Sequence, residues 1–85
     1  MNKEEIYTRI RQTLESNFEI PTERITLDAR LMEDLELDSI DAIDMAVQIQ
    51  EMTNVRVDEE ELKKLRTVND TVELVAALLA RQAKN

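Results

Sequence analysis

The sequence predicts an all-α fold: a small four-helix bundle, three main helices plus one short one, with a long loop between helices 1 and 2. Three observations predict it. Gly 0 and Pro 1 in 85 residues leave a β-rich chain without its turn residues. Apolar residues recur at steps of three and four in separate stretches, the period of helix faces packed on a core. Hydrophobic residues make up 42%, enough for one core and too many for a disordered chain, so residues 1–85 form a single domain.

The elements follow in order. Asn2 with Glu5 three residues on is a capping pair, and Ile6, Ile10, Leu14 and Phe18 then recur every four residues with Tyr7 beside them. The first helix is expected to end near Asn17, because Pro21 cannot continue it and pushes Ile20 towards an extended shape. From about Glu19 to Leu37 no helical pattern of useful length occurs. Ile25, Leu27, Leu31, Leu35 and Leu37 are expected to pin this loop to the core, and so long a connection in a small domain is usually functional. A second helix starts at Asp38 or Ser39 and runs to about Met52. A short acidic helix or turn begins at Asp58, with Glu61 as capping partner, and carries Leu62 and Leu65. Thr67 and Asp70 cap the last helix, whose apolar face is Val68, Val72, Val75 and Leu79.

Composition narrows the chemistry. With Cys 0 and His 0 the chain has no thiol nucleophile, no imidazole base and no usual zinc ligands, so no structural metal is expected and such chemistry would come from a cofactor or partner. The acids are plentiful, but a small bundle offers no dry cleft in which to raise a carboxyl pKa for acid catalysis, so the chain is not expected to be an enzyme. No window has the roughly 18 apolar residues of a membrane span, and the start Met1-Asn2-Lys3-Glu4-Glu5 is unlike a secretory signal. A monomeric cytoplasmic protein without stable membrane insertion is expected. The formal net charge is −8. Eleven acids against one base, Arg56, put −10 between Glu33 and Glu61 and leave +2 elsewhere. That field repels nucleic acid and attracts basic protein surfaces or cations; charge alone fits a solvated face equally well.

The second helix, projected at about 100° per residue, has two apolar sides. Ala42, Met45, Ala46, Ile49 and Met52 fall on one, and Ile40, Ile43 and Val47 roughly opposite. Asp41, Asp44, Gln48 and Glu51 form an acidic stripe between them. If the first group is core, the second is either covered by the long loop or is an exposed docking strip flanked by acids. Ser39, before this apolar run, is by itself either a helix N-cap or an accessible hydroxyl.

The stretch Leu31-Met32-Glu33-Asp34-Leu35-Glu36-Leu37-Asp38-Ser39-Ile40-Asp41 resembles the attachment region of acyl carrier proteins, whose core pattern is Asp-Ser-Leu after an E-D-L element. The likeness runs from about Ile6 to Ala80 through the acidic second helix, the Asp58–Glu61 cluster and Thr67-Val68. It implies that Ser39 receives 4'-phosphopantetheine from coenzyme A through a holo-carrier-protein synthase, with Asp38 helping to hold magnesium during transfer. It implies that acyl intermediates ride on this arm as thioesters. It also implies that Ile40, Asp41, Ile43, Asp44, Val47 and Glu51 meet partner enzymes of fatty acid or polyketide-like biosynthesis: acyltransferase, ketosynthase, ketoreductase and dehydratase types with basic patches.

Four departures stand out. Glu36-Leu37 replaces a glycine common in relatives, which implies a stiffer approach to the serine. Ile40 replaces leucine, Asp44 replaces glutamate, and Thr53 stands where an aromatic often packs. The Leu-Asp-Ser-Ile-Asp run is similar to specialised stand-alone carriers, such as those of aryl polyene assembly. Two alternatives compete with a carrier. One is an acidic adaptor with Ser39 unmodified. The other is a calcium loop with Asp34, Glu36 and Asp38 at positions 1, 3 and 5, but that frame meets Ser39 where it needs glycine and Met45 where it needs glutamate.

Overall fold

The computed structural model describes residues 2–83 and is helical, with four α-helices and no strand among them. Met1, Lys84 and Asn85, the ends of the expected 1–85 domain, lie outside the described residues. Helix α1 is Lys3–Phe18, α2 Ser39–Thr53, α3 Glu59–Lys63 and α4 Val68–Ala83.

The Asn2–Glu5 pair caps α1 in both directions. Asn2 Oδ1 accepts from Glu5 N at 2.8 Å, and Asn2 N donates to Glu5 Oε1 at 3.3 Å. Ile6, Ile10 and Leu14 are buried on its inner face, with Tyr7 and Phe18 packed beside them. Each fully buried aliphatic side chain contributes about 1.5–3 kcal/mol relative to exposure, which makes this face the main anchor of α1. It packs chiefly on α4. The helix stops at Glu19, whose φ of 53° is left-handed, and Pro21 prevents its resumption.

The long loop is ordered, with one 3-10 turn at Thr22–Arg24. Ile25, Leu31 and Leu35 are buried as expected, and Leu37 is half-buried. Leu27 is not a pin: its side chain is 44% exposed, and Ala29 is buried instead. Here the backbone does the holding. Asn69 N donates to Leu27 O at 3.0 Å, Val68 N to Ala29 O at 3.0 Å, and Leu31 N to Arg66 O at 2.8 Å. The Tyr7 hydroxyl adds a bond to Ile25 O at 3.0 Å. These bonds satisfy backbone groups that a buried loop would otherwise leave unpaired, so the loop runs against the start of α4 rather than away from it.

Helix α3 starts at Asp58, but the expected Asp58–Glu61 cap does not form. The Asp58 side chain makes no capping bond, and the turn closes through its backbone carbonyl, which accepts from Glu61 N at 3.1 Å. Glu61 Oε2 is shut off from solvent without a partner among the described residues. Leu62 is buried and Leu65 partly so, which holds α3 against α2. The Thr67–Asp70 cap of α4 does form, with Asp70 N donating to Thr67 Oγ1 at 3.2 Å and Thr67 N to Asp70 Oδ2 at 3.1 Å. A further bond from Arg66 N, at 3.0 Å, is the largest of the influences holding the Asp70 carboxyl below its ordinary pKa. Along α4 the buried apolar positions are Val68, Val72, Val75 and Leu78, with Thr71 buried among them; Leu79 is only partly covered, because the face drifts one residue by the fourth turn. Thr53, in place of an aromatic, is buried. It donates to Ile49 O at 2.8 Å and accepts from Val55 N at 3.2 Å, so its hydroxyl is satisfied at the end of α2.

Candidate functional site

The loop turns into α2 through two positions with distinct constraints. Asp34 Oδ2 accepts from Arg30 N at 2.8 Å and from Arg30 Nε at 3.4 Å; the backbone bond is the larger cause of its lowered pKa. Arg30 also pairs with Glu33. Two residues past Asp34, Glu36 has φ 58°, in the left-handed region where glycine is at ease. This is the departure read from the sequence at Glu36-Leu37, seen as geometry.

Asp38, not Ser39, is the N-cap of α2. Its Oδ1 accepts from Ile40 N and Asp41 N, both at 3.0 Å, and Asp41 Oδ2 accepts from Asp38 N at 3.0 Å. Capping by Asp is worth about 1 kcal/mol, and here it also frees the serine. Ser39 is the first helical residue, exposed, and its hydroxyl makes no hydrogen bond among the described residues. The chain's other serine, Ser16, lies within α1, remote in sequence from any such cap.

Beside Ser39 opens a cleft of about 160 Å³ between α2 and α3. Its apolar wall includes Leu31, Leu37, Ala42, Met45, Leu62 and Leu65; Asp38, Ser39, Asp41, Met32 and Lys63 complete it. A larger, polar hollow lies on the other side of the helix start, lined among others by Phe18, Arg24, Glu36 and Asp41, without Ser39.

The two-sided reading of α2 holds. Met45, Ala46 and Ile49 are buried, with Ala42 and Met52 partly so. Ile40, Ile43 and Val47 are 74%, 50% and 42% exposed, so the loop does not cover them. Asp44 and Glu51 are exposed beside the strip, whereas Asp41 is half-buried and engaged in the cap. Met32, 70% exposed on the loop, is an apolar surface residue that the pattern of α2 had no means of signalling.

A family model described as a phosphopantetheine attachment site matches residues 8–75. Over 80 residues the chain is 49% identical to acyl carrier protein 2 of Ralstonia nicotianae, covering 94% of this chain and 99% of that protein. It is 37% identical over 83 residues to an acyl carrier protein of Saccharopolyspora erythraea, covering 98% and 87%. The chain belongs to the acyl carrier protein family. An acyl carrier protein is a carrier and not an enzyme, its prosthetic group is phosphopantetheine, and its role implies interaction with biosynthetic enzymes and a phosphopantetheinyl transferase. An unbonded, exposed serine hydroxyl beside an apolar cleft suits a long covalently attached arm. Of the three carboxylates of the calcium-loop alternative, Asp34 is held by Arg30, Glu36 lies 3.8 Å from the Arg24 guanidinium, and Asp38 has one oxygen, Oδ1, on two amides of α2. Among the described residues no helix is long and apolar enough to cross a membrane.

Proposed function

We propose that residues 1–85 act as one carrier domain, that Ser39 is the residue bearing phosphopantetheine, and that the exposed side of α2 docks successive enzymes of fatty acid or polyketide-like biosynthesis. The observation that carries this reading is the division of labour at the start of α2. Asp38 takes the capping role that would otherwise occupy a serine hydroxyl, and Ser39 stands exposed and unbonded one residue later.

The arm, when attached, supplies a terminal thiol that this cysteine-free chain lacks, and that thiol holds the acyl group as a thioester. The residues do the rest. The Asp38–Asp41 box fixes the first turn of α2, so Ser39 Oγ is presented at a defined point. Asp38 Oδ1 is engaged with the two amides, and the carboxylate's other oxygen would be the one available to a magnesium ion during transfer. Ile40, Ile43 and Val47 offer apolar contact, and Asp44 and Glu51 attract basic partners. Such docking is steered by charge and therefore weakens with salt, which suits a protein that must leave each partner.

The test separates a carrier from an acidic adaptor. In a coupled transfer assay with an acyltransferase and a ketosynthase, Ser39→Ala should abolish product while its circular dichroism and melting temperature match the wild type. A variant that supports full transfer would instead support the adaptor.

A further inference from the structure

Most of the anion-binding capacity of the α2 N-terminus is already taken. Two of the amides that would meet a negative group there bond Asp38 Oδ1, and Asp41 closes the box through Asp38 N. A phosphodiester on Ser39 Oγ therefore adds negative charge next to two carboxylates, at a helix end whose dipole they have already met. The cation that offsets it must come from another element.

On the α1 side of α2 the available base is Arg24, but its guanidinium is 3.8 Å from Glu36, and the hollow it lines does not include Ser39. On the other side, the cleft that has Ser39 on its wall contains a single base, Lys63. It is exposed, stands in the last turn of α3, and takes part in none of the ion pairs among the described residues. A lysine carries a mobile ammonium on a flexible four-carbon stem, and such a stem lies along apolar surface of the kind Leu62 and Leu65 provide while its head reaches solvent.

We infer that Lys63 pairs with the phosphodiester carried by Ser39 and holds the root of the arm across the mouth of the α2–α3 cleft. The pair exists only in the modified protein, where it adds a charged link between α3 and α2 to the apolar packing of Leu62 already present. This inference rests on Ser39 being the attachment site.

The experiment converts the wild type, Lys63→Gln and Lys64→Gln with coenzyme A, magnesium and a phosphopantetheinyl transferase, and confirms conversion by intact mass. Melting temperatures of the unmodified and modified forms are then compared at low and high salt, together with the phosphorus-31 resonance of the arm. The change in melting temperature on modification should be more favourable in the wild type than in Lys63→Gln by about 2–6 °C, the scale of one exposed ion pair in a domain this small. The difference should shrink at about 1 M salt, and the phosphorus resonance should move in Lys63→Gln. Lys64→Gln should behave as the wild type. Equal changes in the wild type and Lys63→Gln with superimposable phosphorus spectra would overturn the pairing and leave the carrier reading intact. An equal loss in Lys64→Gln would overturn it too, by reducing the effect to net charge. No mass gain in any of the three proteins would overturn the carrier reading and the pairing together.

Discussion

Glu36 holds a left-handed backbone, φ 58°, three residues before Ser39, in a chain with Gly 0. For an L-residue this conformation costs about 1–2 kcal/mol, because Cβ crowds the following carbonyl. Glycine removes that crowding but gains freedom in the unfolded chain worth about 0.5–1 kcal/mol against folding. Taking the middle of each range, Glu36→Gly should therefore stabilise the domain by about 0.75 kcal/mol. The side chain it deletes adds little, since its contact with Arg24 is 3.8 Å long and both groups are largely exposed. With a urea slope near 1 kcal/mol per molar for a domain this small, the unfolding midpoint should rise by about 0.5–1 M. Glu36→Ala is the decisive control, because it deletes the same carboxylate from an acidic segment but keeps Cβ. If alanine stabilises as much as glycine, the gain is electrostatic and the backbone argument is wrong. If glycine leaves the midpoint unchanged or lowers it, the left-handed position is not strained as argued.

Two further perturbations address the cap of α4 and the docking strip. Asp70→Ala removes an acceptor for the amides of Arg66 and Thr67 and should cost about 1 kcal/mol in urea unfolding at neutral pH. Because the folded carboxyl has a lowered pKa, the unfolded chain binds this proton first as pH falls; the Asp70 contribution is complete above the ordinary carboxylate range and disappears as pH drops through the lower folded value. The stability gap between the wild type and Asp70→Ala should accordingly begin to narrow as pH falls below about 4, and a gap that widens as pH falls through that range would contradict the assignment. Ile43→Ser, on a half-exposed position, should change unfolding free energy by less than about 0.5 kcal/mol. It should nonetheless weaken docking to a ketosynthase about tenfold, measured by titration calorimetry, since roughly half an isoleucine's burial is at stake. A large stability loss with unchanged docking would place Ile43 in the core instead.

Much of this molecule is legible from spacing alone, where one local rule decides. The Asn2–Glu5 and Thr67–Asp70 caps depend on residues three apart, and the buried face of α1 on a repeat of four. The split of α2 into a buried side and an exposed strip also follows from projection, because no other segment comes to cover Ile40, Ile43 and Val47. Local rules fail where two of them compete or where tertiary placement decides. Asp38 and Ser39 are both good N-caps; the Asp41 carboxylate, three residues on, closes the box with Asp38 and leaves Ser39 free. Asp58 and Glu61 have the same spacing, but the backbone closes that turn and no box forms. Leu27 has the hydrophobicity of a core residue, yet backbone bonds to the start of α4 set the loop's path and leave it outside. The turn at Glu36 carries no glycine signal, and the position of Lys63 beside Ser39 exists only once α3 packs on α2.

Intact mass tests the central claim most directly, after incubation with coenzyme A, magnesium and a broad-specificity phosphopantetheinyl transferase, for the wild type and Ser39→Ala in parallel. The wild type should gain one phosphopantetheine and a folded Ser39→Ala chain none. A gain retained in Ser39→Ala would move the attachment to another residue, with Ser16 the first to examine, and a folded wild type that several transferases leave unchanged would contradict the carrier function itself.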